Sequence, residues 1–364
     1  MKSEILVSHS TPPRAPLLLA ALFATSSAAS SPPFEAWARA HGRDYASPAA
    51  ASAARAAFAA NAARVAAHEL ERAAGRATHS LALNGFADMS PSEFTAAVGL
   101  GGVGSPAASA SGLRGGVGVV SDTDLPESVD WLARGFVPPV WNSGSCASGG
   151  TLAFTDSVSA AGGILAGKLS VLYDPAQIGT CDGCGCTGCL ASAPWTWALK
   201  HGVTSNYSAS CAYTPTLRVT HENRVQPRND SALAEALVAG PTLVVSSADA
   251  HVRKRGAFTH ARSLTAPLPR PSRPPSRPRS PLQAIDLQAL QLYSGGIVTS
   301  ACAPTVDSVV LAVAYAPEYF KIKNSWGAAW GEKGFARIGR GAKAPADGVC
   351  GILTSAAWPT VEEA

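Results

Sequence analysis

The chain has little of what would commit it to a membrane, a nucleic acid or a disordered state. Charged residues make up only 15% of its 364 positions and the formal net charge is +4, whereas 46% of the residues are apolar. That balance is ordinary globular material, long enough to bury a sizeable core. No apolar run is long enough to cross a bilayer. The strongest, Leu17 to Ala24 after Arg14, is followed by small residues and reads as a secretory h-region, with residues 1–29 as a signal peptide cut after Ala29. The Gly-x-Ser-x-Gly elbow of many serine hydrolases is absent. Eight cysteines are present, which fits an oxidising, secretory compartment.

Acids are missing altogether from His251 to Ala284, which holds eight Lys or Arg and seven Pro. Taking those eight cations from +4 would leave −4, so the basic balance belongs to this one segment. A nucleic-acid arm would have periodicity and a series of aromatics among its cations, which this segment lacks. Its composition reads instead as a disordered insert or a translated intron.

What is present is a set of ordered motifs. Leu125-Pro126-Glu127-Ser128-Val129-Asp130-Trp131 precedes Asn142-Ser143-Gly144-Ser145-Cys146-Ala147-Ser148-Gly149-Gly150. Much further on come Lys323-Asn324-Ser325-Trp326-Gly327, Trp330-Gly331-Glu332-Lys333-Gly334-Phe335 and Gly348-Val349-Cys350-Gly351. In kind and order these resemble the mature start, nucleophile segment, orienting-Asn segment and last disulfide cysteine of the papain-like cysteine peptidases. The nucleophile segment of that family reads Asn-Gln-Gly-x-Cys-Gly-Ser-Cys-Trp, with a structural first Cys and a catalytic second one.

The resemblance implies a site whose chemistry has been removed. Cys146 matches the structural Cys, and Gly149 stands at the nucleophile position, so no acyl intermediate can form there. The family's His opens a strand before an apolar run, and Ser308 holds that position in Val306-Asp307-Ser308-Val309-Val310-Leu311. A hydroxyl is no general base near neutral pH. Ser143 replaces the oxyanion Gln and is shorter than the amide it replaces. Asn324 matches the orienter and Trp326 its aromatic cover. Losing members of a catalytic unit is strongly non-additive: one loss can cost as much as all, on the order of 10⁶ in turnover. The histidines offer no substitute. His9 lies in the leader; His41, His68 and His79 precede the mature start; His201, His221, His251 and His260 lie at a helix end or near loops. A second departure is Gly185-Cys186-Thr187-Gly188-Cys189, where the family has a bare Gly-Cys-Asn-Gly-Gly substrate loop. Gly188 and Cys189 are candidate binding positions, and the Cys189 side chain is expected to narrow the cleft.

Upstream, Phe34, Trp37, His41, Arg43 and Tyr45, then Arg55, Phe58, Asn61 and Val65 at helical steps, followed by Asn84-Gly85-Phe86-Ala87-Asp88, resemble the inhibitory I29-type pro-domain of the same family. The implied fold is α+β: a helical pro-domain over residues 30–100, a Gly/Ala/Ser-rich linker over 101–124, and a two-lobed papain-like domain over 125–364. Its left lobe is expected to open with a helix from about Gly150 to Leu165, and its right lobe to be a β-barrel. The family pattern pairs Cys146 with Cys186 and Cys302 with Cys350. Cys181 is then expected to pair with Cys211, leaving Cys184 with Cys189. The spacing of Cys181, Cys184, Cys186 and Cys189 also suits zinc, but a disulfide framework is the reading preferred in a secreted chain, so no metal and no cofactor is expected. Asn206 and Asn229 open glycosylation sequons.

The whole reads as a secreted or lysosomal/vacuolar, non-catalytic family homologue with a binding or regulatory role. Its expected partners are its own pro-domain in the cleft, and peptides, peptidase inhibitors or an active relative; no nucleic acid and no membrane span are expected. The alternative, an active secreted or lysosomal cysteine endopeptidase, requires chemistry that these residues do not supply.

Overall fold

The computed structural model describes residues 33–98, 125–146, 149–181, 185–186, 193–205, 211–247, 288–299, 307–341 and 344–364. The signal peptide, the linker, the basic insert 251–284, Cys184, Gly188, Cys189, Asn206 and Cys302 lie outside them.

The pro-domain is built from α1 (Phe34–Ala40), α2 (Pro48–Ala73), β1 (His79–Leu81) and α3 (Pro91–Ala97). Local chemistry sets its helix starts. Ser47 caps α2 by accepting the Ala50 N–H, with Pro48 opening the first turn. Ser90 and Glu93 form a reciprocal capping box at α3. Along α2, Ala54, Phe58 and Asn61 are buried, and Asn61 Nδ2 donates to the carbonyls of Ala87 and Met89 at 2.8 and 2.9 Å. Arg55, expected on that same face, is exposed instead; it pairs with Glu35 and lies over the Phe34 ring.

The remainder comprises β2 (Val129–Asp130), α4 (Gly149–Leu165), α5 (Pro175–Cys181), α6 (Ala193–His201), β3 (Leu217–Arg224), α7 (Asp230–Ala239), β4 (Thr242–Ser247), α8 (Gln288–Gln291), β5 (Tyr293–Val298), β6 (Asp307–Ala316), β7 (Tyr319–Lys323), β8 (Phe335–Gly339) and β9 (Ser355–Glu363). Helices α4, α5 and α6 make the left lobe. The central α4 is nearly all small or apolar and is buried from Thr151 to Ala160, so it is covered on every side. Phe154 meets Trp195 of α6 edge to face at 4.8 Å.

The right lobe carries a sheet in the order β1, β5, β8, β7, β6, β4, β9, β3, with β2 also on β6. All neighbours are antiparallel except β5 and β8. This corrects the expected barrel. The pro-domain strand β1 takes one edge, and β3, hydrogen-bonded to β9 from Leu217 to Arg224, takes the other. Among the described residues no ladder joins these edges, so the sheet is open. An apolar strand pattern reports burial but is silent on closure, which depends on who pairs with the two end strands.

Candidate functional site

The site lies where the start of α4 meets the sheet. Gly149 is the first helical residue, and a Cβ built on it would stand 3.7 Å from both Ser325 Oγ and the Val309 carbonyl oxygen. Those are ordinary contact distances, so the backbone leaves room for a side chain that the sequence does not provide. Val309 follows Ser308 on β6, where Ser308 is paired with Ser246 of β4. The strand expected to carry the base therefore runs beside the helix start expected to carry the nucleophile.

Asn324 follows β7 and is 5% exposed. Its N–H donates to the Gly334 carbonyl at 3.0 Å, which fixes the backbone. Its Oδ1 accepts the N–H of the adjacent Ser325 at 2.8 Å. The amide oxygen that would hold an imidazole is thus engaged by the neighbouring residue.

Ser143 is tied to the same segment although 182 residues separate them. Its N–H and its hydroxyl both donate to the Ser325 carbonyl, at 2.9 and 3.1 Å. The Gly327 N–H donates to the Trp141 carbonyl at 2.9 Å, and Asn142 bridges Trp326. The two motifs lie side by side, with the Ser143 hydroxyl turned onto backbone.

Trp326 is buried in an aromatic cluster. Its ring meets Trp330 at 4.8 Å, Phe94 at 5.1 Å and Phe86 at 6.4 Å, all close to edge to face. Phe86 and Phe94 belong to the pro-domain, so the ring expected to cover Asn324 is itself covered.

Cys146, just before α4, is bonded to Cys186, and Cys181 to Cys211, with Cα separations of 4.5 and 5.5 Å. Both of these pairings were expected. Cys350 is disulfide-bonded as well; Cys302, its expected partner, lies outside the described residues, as do Gly188 and Cys189.

One group under the site was not read from the sequence. Asp156 on α4 and Lys323 at the end of β7 form an ion pair in which both are almost fully buried, and the Trp141 indole donates to Asp156 at 2.9 Å. Burial pushes the Asp156 carboxyl up and the Lys323 ammonium down. Their attraction opposes both shifts, and the pair ties the two lobes beneath the cleft. An aspartate in so apolar a helix was the available signal.

Comparison with known proteins agrees with this geometry. Residues 34–94 match the cathepsin propeptide inhibitor domain (I29), and residues 125–266 and 279–360 match the papain family cysteine protease domain. That second match breaks inside the basic insert. Papain from Carica papaya is 32% identical over 254 residues, covering 65% of this chain and 61% of that relative. The chain thus spans about three fifths of it. Cysteine endopeptidase RepA from Oryza sativa subsp. japonica is 28% identical over 320 residues, covering 80% and 74%. Among solved structures, the recombinant stem bromelain precursor superposes with a TM-score of 0.65 at 23% identity, covering 90% of this chain and 97% of that one. The digestive procathepsin L2 proteinase from Tenebrio molitor larval midgut gives 0.66 at 23%, covering 90% and 98%; at such identities the likeness is one of fold. With its lobes, its pro-domain and its ordered motifs accounted for, the chain belongs to the papain family of cysteine proteases.

Proposed function

We propose that this papain-family chain is a non-catalytic homologue with a binding or regulatory role. The observation that carries the reading is Gly149 at the start of α4, with side-chain-sized space beside Ser325 and Val309 and no atom to attack a carbonyl. Ser308, at the expected base position, cannot take a proton from a thiol, and Asn324 already holds the Ser325 N–H. Cys146 is no substitute nucleophile because it is bonded to Cys186. The compartment that fits the disulfides and the apolar leader is the secretory route, ending outside the cell or in a lysosome or vacuole. Asn206 and Asn229 are the candidate glycan acceptors there. Peptides, peptidase inhibitors or an active relative are the partner classes that suit a retained fold without chemistry.

The test is direct. Purified protein, before and after acid treatment, is assayed on general papain substrates and exposed to an epoxide thiol probe. No hydrolysis and no labelling are expected. Hydrolysis that disappears on mutating Cys146 or Ser148 would overturn the reading and favour an active endopeptidase.

A further inference from the structure

The pro-domain and the domain it covers exchange core residues. Leu292, which follows α8 in the right lobe, is fully buried in the pro-domain's own cluster with Phe34, Trp37, Phe58 and Ala87. In return Phe94 and Val98 of the pro-domain sit in the large right-lobe cluster with Tyr293, Trp326 and Trp330. Polar groups interlock at the same place. Gln291 is fully buried, and its Nε2 donates to the carbonyls of Phe86 and Met89, each at 2.9 Å. Asn84 Nδ2 donates to the Gln291 carbonyl at 2.7 Å, and the Ala82 N–H to that of Leu292 at 2.9 Å. Strand β1 then completes the sheet on β5.

Undocking would leave Gln291 without either of its acceptors and bare an apolar surface around Leu292, Tyr293 and Trp326. The first exchanges two hydrogen bonds for bonds to water, a modest net loss, and the second is the kind of patch that soluble proteins keep covered.

We propose that in this chain the pro-domain is a resident part of the working structure, held permanently over the right lobe, rather than an inhibitor that is excised. The proposal rests on the non-catalytic reading: a chain with glycine at position 149 cannot cut its own linker and has no activity to restrain. A partner would then meet the composite surface of pro-domain and right lobe.

The experiment inserts a recognition sequence for a site-specific protease between residues 101 and 124 of the full chain and cuts it at pH 7. The two pieces are expected to co-elute in gel filtration after dilution to about 1 μM and to unfold in one transition, as the uncut protein does. Leu292→Ala and Gln291→Ala are each expected to lower that single midpoint, the former by roughly 5 °C or more. Aggregation of the 125–364 piece whenever the pro-domain is stripped from it also supports the proposal. Separate elution with a folded, soluble 125–364 piece, or two independent transitions, overturns it. A peptidase assay on the cut sample keeps the two readings apart. Hydrolysis there defeats the non-catalytic reading, whereas dissociation without hydrolysis defeats only the resident pro-domain.

Discussion

Gly149 and Ser325 face each other across the meeting of helix and sheet, with 3.7 Å between Ser325 Oγ and the point where residue 149 would carry its Cβ. The two lobes are therefore apposed closely enough for side chains on α4 and on the loop after β7 to act together, and what is missing is the side chains.

Restoring them should restore chemistry. Gly149→Cys with Ser308→His and Ser143→Gln is expected to yield weak hydrolysis of papain substrates, because a thiolate is favoured at a helix start and Asn324 Oδ1, which accepts one bond from the Ser325 N–H, has a second lone pair with which to orient a new imidazole. Gly149→Cys alone should be alkylated slowly. If the triple variant folds and its thiol reacts no faster than a free cysteine, the lobes are not set as the geometry indicates.

The buried pair under the cleft should behave asymmetrically. Asp156→Ala leaves the Lys323 ammonium enclosed and unpaired, with an expected loss of about 3–5 kcal/mol in denaturant unfolding. Replacing both partners with apolar residues, Asp156→Leu with Lys323→Met, should cost much less. Equal losses from the single and double variants would contradict the pairing.

Gly296 should be intolerant of a side chain. It has φ +86° on β5, and a Cβ there would lie 2.5 Å from the Thr78 carbonyl oxygen of the pro-domain. Gly296→Ala is expected to destabilise docking by roughly 1–3 kcal/mol. Hydrogen exchange should quicken at β1 while β6 stays protected; unchanged exchange at β1 would refute the close approach.

Acid should loosen the same interface. His79 is buried against His68, with ring centroids 4.4 Å apart, and its Nδ1 has no partner. Burial, aided by His68, lowers its pKa from 6.5 to about 4. The docked form disfavours the proton, so the stabilisation is full above about pH 6.5 and falls away as the pH drops toward 4. The total is on the order of 3 kcal/mol. His79→Phe should flatten that stretch of the stability profile, and an unaltered slope would show that other groups set it.

Much of this was written locally. The Asn142 to Gly150 and Lys323 to Phe335 motifs mark the two walls of the site by residue identity. The start of α4 falls one residue from where the resemblance put it, Cys146–Cys186 pairs as the family pattern implies, and Cys181–Cys211 pairs as expected. Helical spacing also put Phe58 and Asn61 on the buried side of α2. It could not place Arg55, because a long side chain at the edge of a face goes where its partner is, and Glu35 lies outside.

The rest belongs to tertiary structure, because it depends on which distant residue arrives opposite. Asp156 and Lys323 are 167 positions apart, and neither shows alone that burial would be met by an opposite charge. The open sheet is decided by its two edge strands, one of which comes from the pro-domain. The sequence by itself determined that no nucleophile stands at position 149, since a missing side chain needs no fold to be missing. Only the folded chain decided that Leu292 would complete the pro-domain's core and Phe94 that of the right lobe, because burial is a property of the surfaces that meet.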